Sequence, residues 1–275
     1  MEKKKRWLFL SILVGIIGLI PLALASRLTD GFKSDIAAQS IQFIARVVPG
    51  ICLLLYMKKV YKIKIGITKK NLFKGVFWHG LVVVLFSAFV IVVDYMKPEI
   101  SIGKAVPILL FYVVINLGIG LFEEALCRGL LFNSFKAFFG DNKKGVYLAA
   151  FLSAFLFGAL HLGNLNGSNT IKTITQVIYA VFFGMLFVAI YYRTKNFVAC
   201  AILHGMVDFA DAFWRCFLKD RVGEQRAIEV TDGSIPEALF TLAITSVFLI
   251  CALVQLRKVF KDKEKVLTDS KVVPA

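Results

Sequence analysis

The chain of 275 residues is 58% hydrophobic, with 26 Phe, and its mean hydropathy is +0.75. A soluble domain is roughly 45–50% apolar, so this composition excludes a water-soluble globular protein and predicts an all-α, polytopic membrane protein. The formal net charge of +15 does not point to nucleic acid, because the cations cluster in short connections between apolar runs, where they set topology.

An apolar run of roughly 17–25 residues can cross the hydrocarbon core as a helix. Eight such runs are predicted, at 7–25, 36–57, 75–95, 105–133, 146–162, 171–192, 197–217 and 238–257. The first follows Lys3, Lys4, Lys5 and Arg6 and ends near Ala25 and Ser26 in the manner of a signal peptide. Its apolar stretch is longer than the core of such a peptide, and it is read as an uncleaved span. The connection 58–74 carries Lys58, Lys59, Lys62, Lys64, Lys69, Lys70 and Lys74, a topogenic signal that can also meet anionic lipid heads. With the spans alternating, 22 Lys and Arg fall on the side of both termini and nine on the other. This asymmetry predicts cytoplasmic N- and C-termini for a protein integral to the cell membrane.

The polar connection 218–237 predicts a solvated outer loop, and the charged tail beyond Lys261 a disordered end. The sequence shows neither a repeat of fixed period nor a Gly-rich phosphate loop. One membrane-embedded domain over 1–275 is expected, its eight helices surrounding an intramembrane cavity. Cys52, Cys127, Cys200, Cys216 and Cys251 lack the paired spacing of a zinc knuckle or a disulfide framework and read as free thiols. Cys127, one helical turn after Glu123, is the one weighed as a nucleophile, a role that needs water access.

Chemistry concentrates in three short patterns: Glu123-Glu124-Ala125-Leu126-Cys127-Arg128, Phe157-Gly158-Ala159-Leu160-His161, and His204-Gly205-Met206-Val207-Asp208. An ionisable group costs roughly 2.5–3.5 kcal/mol or more at the centre of a membrane helix, so these groups are expected to face a common interior rather than lipid. On a helix, residues four apart share a face while neighbours point about 100° apart. Glu124 therefore stacks against Arg128, and Glu123 is the carboxylate without a sequence-local partner, suited to act as a general base. The same spacing puts His204 and Asp208 on one face, where the carboxylate can orient the imidazole or join it around a metal. Purely structural readings stand beside these: a Glu124–Arg128 staple, a helix-capping His161, a His204–Asp208 proton relay.

Together and in this order, the patterns resemble the CAAX protease and bacteriocin-processing family of intramembrane proteases, also called the abortive-infection family, whose motifs are EExxxR, FxxxH and HxxxN or HxxxD. The matching residues are Glu123, Glu124 and Arg128, then Phe157 and His161, then His204 and Asp208, and the likeness covers about 105–213. The resemblance implies an endopeptidase similar to CAAX prenyl proteases. Glu123 and His161 would activate the attacking water, His204 and Asp208 would stabilise the oxyanion, and Glu124 and Arg128 would support them. The implied partners are membrane lipid and a peptide or membrane-protein substrate, prenylated or bacteriocin-like. A non-enzymatic peptide-binding scaffold or bacteriocin immunity protein is the alternative.

Asp208 leaves the mechanism open. An amide there could donate to an oxyanion, whereas an ionised carboxylate would repel it, so Asp208 is protonated, orients His204 or ligates a metal. Glu123, His161, His204 and Asp208 could form a two-His, two-carboxylate zinc set, although no HExxH occurs, and zinc and metal-free schemes both stand. Depth raises a further conflict. At 1.5 Å per residue from the span edges, Glu123 and His161 should lie about 20 Å apart along the membrane normal.

Overall fold

Side-chain caps mark where several helices begin. Ser34 accepts from the Ala37 N–H, Asn142 from Gly145 and Asn196 from Ala199, each satisfying an amide that the first helical turn leaves unpaired. The computed structural model describes residues 2–62, 69–165, 168–221 and 232–269. Among these it contains helices and no strand. In chain order they are α1 (Glu2–Thr29), α2 (Asp35–Tyr61), α3 (Leu81–Val93), α4 (Ile102–Glu124), α5 (Asn133–Phe139), α6 (Lys143–Leu160), α7 (Thr170–Thr194), α8 (Phe197–Ala212) and α9 (Ile235–Asp269). The all-α, polytopic expectation holds.

Among the described residues, six segments are long and apolar enough to cross a membrane: α1, α2, the continuous Ile102–Phe139, Lys143–Asn164, α7, and Ile235–Asp262. The expected spans 75–95 and 197–217 are built differently. The first is a wide π turn, Lys74–His79, followed after Gly80 by the 13-residue α3. The second is the 16-residue α8, followed by a short 3-10 turn, Trp214–Phe217. Apolar composition continues through both regions while the single regular helix does not, so six of the eight expected spans are continuous helices of full length and the other two are interrupted ones.

The connection expected over 134–145 is also shorter than it looked. Helical structure runs on through α5 to Phe139, and the chain reverses at residues 140–142, where Gly140 takes φ 99°, a conformation open to glycine. The tail is corrected as well. Instead of a disordered end, α9 continues to Asp269, as suits a run rich in Lys, a good helix former, while residues 270–275 lie outside the described residues. Half of the predicted 218–237 loop, residues 222–231, and the middle of the 58–74 connection, with Lys64, lie outside the described residues.

α7 is the innermost helix, with every residue from Phe183 to Tyr192 buried. It packs between α6 and α9, while α8 lies along α4 and α1 along α2. Outward faces carry exposed apolar stripes, such as Ile44, Val48, Ile51 and Leu55 on α2. A surface of this kind belongs against lipid tails, and the chain is an integral membrane protein. All five cysteines are free, and Cys127, Cys200 and Cys216 are buried.

Candidate active site

The first motif lies where regular helix gives way to a wider coil. α4 ends at Glu124, and Ala125–Phe132 form a π-helical stretch before α5 resumes. Such a stretch shifts backbone hydrogen bonds out of their usual pattern and is frequent at functional sites. Here side chains take up carbonyls. Asn133 Nδ2 donates to the Arg128 and Gly129 carbonyls at 2.7 and 3.0 Å, and Ser153 Oγ donates to the Cys127 carbonyl at 2.8 Å.

That last bond removes the depth conflict. The α5–α6 reversal makes α6 antiparallel to the helix it leaves, so with Ser153 beside Cys127 the next turn of α6, at Phe157, comes level with Glu123. His161 follows one turn further on, in the short 3-10 turn His161–Asn164. The expected offset of about 20 Å came from treating 134–145 as loop. Because that stretch is mostly helix, the motif lies deeper than a count from the apolar edge suggests.

α8 brings the third motif, and two glycines let it approach. A Cβ at Gly120 would collide with the Ala201 carbonyl, and one at Gly205 would come within 2.8 Å of the Asn116 carbonyl. With backbones this close, His204 reaches both glutamates. His204 Nδ1 donates to Glu124 Oε1 at 2.8 Å, and His204 Nε2 lies 3.2 Å from Glu123 Oε2. The two contacts hold the His204 ring between the two glutamates. Phe187 stacks on this ring at 5.5 Å between centroids, and Phe157 meets it edge-on at 5.5 Å.

Arg128 balances Glu124 as its spacing predicts, with Nη1 2.9 Å from Oε1. Its Nη2 donates to the Gly184 carbonyl at 3.1 Å, and the guanidinium lies against the Phe157 and Phe187 rings at 5.1 and 5.2 Å. One oxygen of Glu124 thus serves Arg128 and His204 together. Exposure separates the two glutamates: the side chains of Glu124 and Arg128 are 0% exposed, while Glu123 retains 24% and Asp208 29%. Glu123 is therefore the carboxylate a reactant can reach.

The remaining predicted residues are less tightly joined. Asp208 Oδ2 is 3.8 Å from His204 Nε2, too long for a hydrogen bond. His161 Nδ1 donates to the Phe157 carbonyl at 3.0 Å and its ring meets Phe157 edge-on, which leaves Nε2 as an acceptor. Among the described residues, the one hydrogen bond of the His161 ring is this bond to Phe157. Among the described residues, no group of three or more His, Cys, Asp and Glu side chains is placed to hold a metal ion. Of Glu123, His161, His204 and Asp208, the contacts join Glu123 and Asp208 to His204. Cys127 is fully buried, and its thiol lacks the water access that a nucleophile needs.

Sequence reasoning missed the Glu124–His204 bond, which joins residues 80 positions apart, and it missed the Phe187 stack, since one more aromatic in an apolar span carries no local signal. A family model described as type II CAAX prenyl endopeptidase Rce1-like matches residues 105–210, which contain all three motifs and agree with the family resemblance they carry. No curated protein and no solved structure matches the chain. The family match supports an intramembrane endopeptidase.

Proposed function

From the match of residues 105–210 to an Rce1-like family model, we propose that this protein hydrolyses a peptide bond at the membrane through a water activated by Glu123. The observation that carries the reading is the placement of an accessible carboxylate, Glu123, against an imidazole whose other nitrogen is held by a buried one. Water bound between Glu123 and His161 Nε2 gives a proton to Glu123 as its oxygen attacks the scissile carbonyl carbon. His204 Nε2–H stabilises the resulting oxyanion, a contribution of roughly 2.7–4 kcal/mol for a preorganised donor. The C–N bond then breaks as Glu123 passes its proton to the leaving amine. Glu124 fixes the His204 ring, and Arg128 holds Glu124 in place.

Purified protein in lipid nanodiscs, incubated with a farnesylated peptide ending in Cys-a-a-X, a bacteriocin precursor or a membrane-protein substrate, should release a defined fragment by mass spectrometry. Intact peptides in every reaction would remove the endopeptidase reading in favour of a binding scaffold.

We assign Asp208 the role of orienting His204 and assign catalysis no metal. Asp208→Asn should then keep activity within about tenfold of wild type, since the 3.8 Å contact with His204 is no hydrogen bond to lose and an amide can donate to an oxyanion. Wild-type enzyme shown to be metal-free by elemental analysis should turn over at an unchanged rate in chelator. Loss of activity on chelation, restored by zinc, would replace this scheme with a metal-dependent one.

The cation asymmetry supports a cytoplasmic side for both termini and the 58–74 connection. In a cysteine-free background, Lys64→Cys in intact cells should resist an impermeant maleimide and react once the membrane is opened. Labelling from outside would invert the topology.

A further inference from the structure

α2 presents lipid with Ile44, Val48, Ile51 and Leu55 and buries Gly50, Leu53 and Met57 on its other side. Arg46 is one turn before Gly50, on that buried side. The register is set by contacts with α4: Gly118 lies against Phe43 and Val47, and Gly50 against the Phe122 backbone. Arg46 therefore arrives between the levels of Gly118 and Phe122, one step from Glu123.

A guanidinium at this depth requires strong compensation. Its Nη1 donates only to neutral oxygens of Gln42, the carbonyl at 3.1 Å and Oε1 at 2.9 Å, and its Nε is buried without a hydrogen-bond partner among the described residues. Glu123 and Asp208 are the carboxylates whose charge reaches it, but the ion-pair contacts of both are with His204. The group is thus held next to the reacting centre with donor capacity unspent. A guanidinium matches the geometry of a carboxylate better than that of any neutral peptide group.

We propose that Arg46 anchors a carboxylate of the peptide substrate beside Glu123 and so selects which peptides the site accepts. The assignment rests on the endopeptidase reading for the identity of its ligand as a peptide. Two sources share this chemistry: the free α-carboxylate of a C-terminal Cys-a-a-X segment, and an acidic side chain near the cut.

The test uses fluorescein-labelled, farnesylated Cys-a-a-X peptides in three forms: the free acid, the C-terminal amide, and an amide with Asp in the last position. Binding to wild-type and Arg46→Gln protein in nanodiscs is read by fluorescence polarisation, with cleavage followed in parallel. Wild type should bind the free acid about 10- to 100-fold more tightly than the plain amide, the scale of a charged hydrogen bond. Arg46→Gln should bind the two alike, with affinity for the amide unchanged, which also reports an intact fold, and Arg46→Lys should recover part of the preference. Tight binding of the Asp-bearing amide would identify a side-chain carboxylate as sufficient, and weak binding would identify the chain end. The anchor is overturned if wild type shows no preference, binds none of the peptides, or keeps its preference in Arg46→Gln. Selective binding of the acid without cleavage would overturn the endopeptidase reading and leave the anchor standing.

Discussion

Glu123→Gln should lower kcat by about 10²–10⁴-fold, the contribution of a positioned general base, while the protein accumulates and unfolds like wild type. Glutamine keeps the size of the side chain and an oxygen to face His204 Nε2, but it cannot take a proton from water. The mild structural effect follows from position: Glu123 is partly exposed and does not hold Arg128, whereas Glu124 is fully buried and does. Single-turnover cleavage in nanodiscs, beside a thermal unfolding scan, separates the two effects. A variant that keeps more than about a tenth of wild-type kcat would remove Glu123 as the base.

Arg128→Ala should be the most damaging single change to the fold, costing about 3–5 kcal/mol, as removal of one partner from a buried ion pair typically does. The variant leaves Glu124 charged in an apolar interior, frees the Gly184 carbonyl, and empties the space between Phe157 and Phe187. Low accumulation in the membrane and a lowered unfolding temperature are the expected readouts. Adding Glu124→Gln should restore part of the accumulation, because the stranded charge is gone, without restoring the cavity between the two rings. Wild-type stability in Arg128→Ala alone would show that His204, at 2.8 Å, is enough to hold the Glu124 charge.

Several features were legible because they depend on local periodicity. The Glu124–Arg128 pair follows from a four-residue spacing that holds its ion pair even where the coil widens to a π turn. The division between a reachable Glu123 and an enclosed Glu124 follows from the same rotation about the helix axis. Helix number was less legible. Apolar composition reports what tolerates lipid, not where the backbone changes its winding, so 75–95 and 197–217 read as full spans although each combines a shorter helix with a π or 3-10 turn.

By itself, then, the sequence determined that this is a helical membrane protein, that three motifs carry its ionisable groups, and which glutamate Arg128 would claim, because composition and i,i+4 geometry are properties of a chain segment. Only the tertiary structure decided that His161 and Glu123 are neighbours in depth, that Glu124 holds both Arg128 and His204, and that Arg46 is directed to the same region. Each of these depends on how far one helix slides and rotates against another. That register is set by close contacts at Gly118, Gly120 and Gly205 and by the Ser153–Cys127 bond, between residues that no local pattern links.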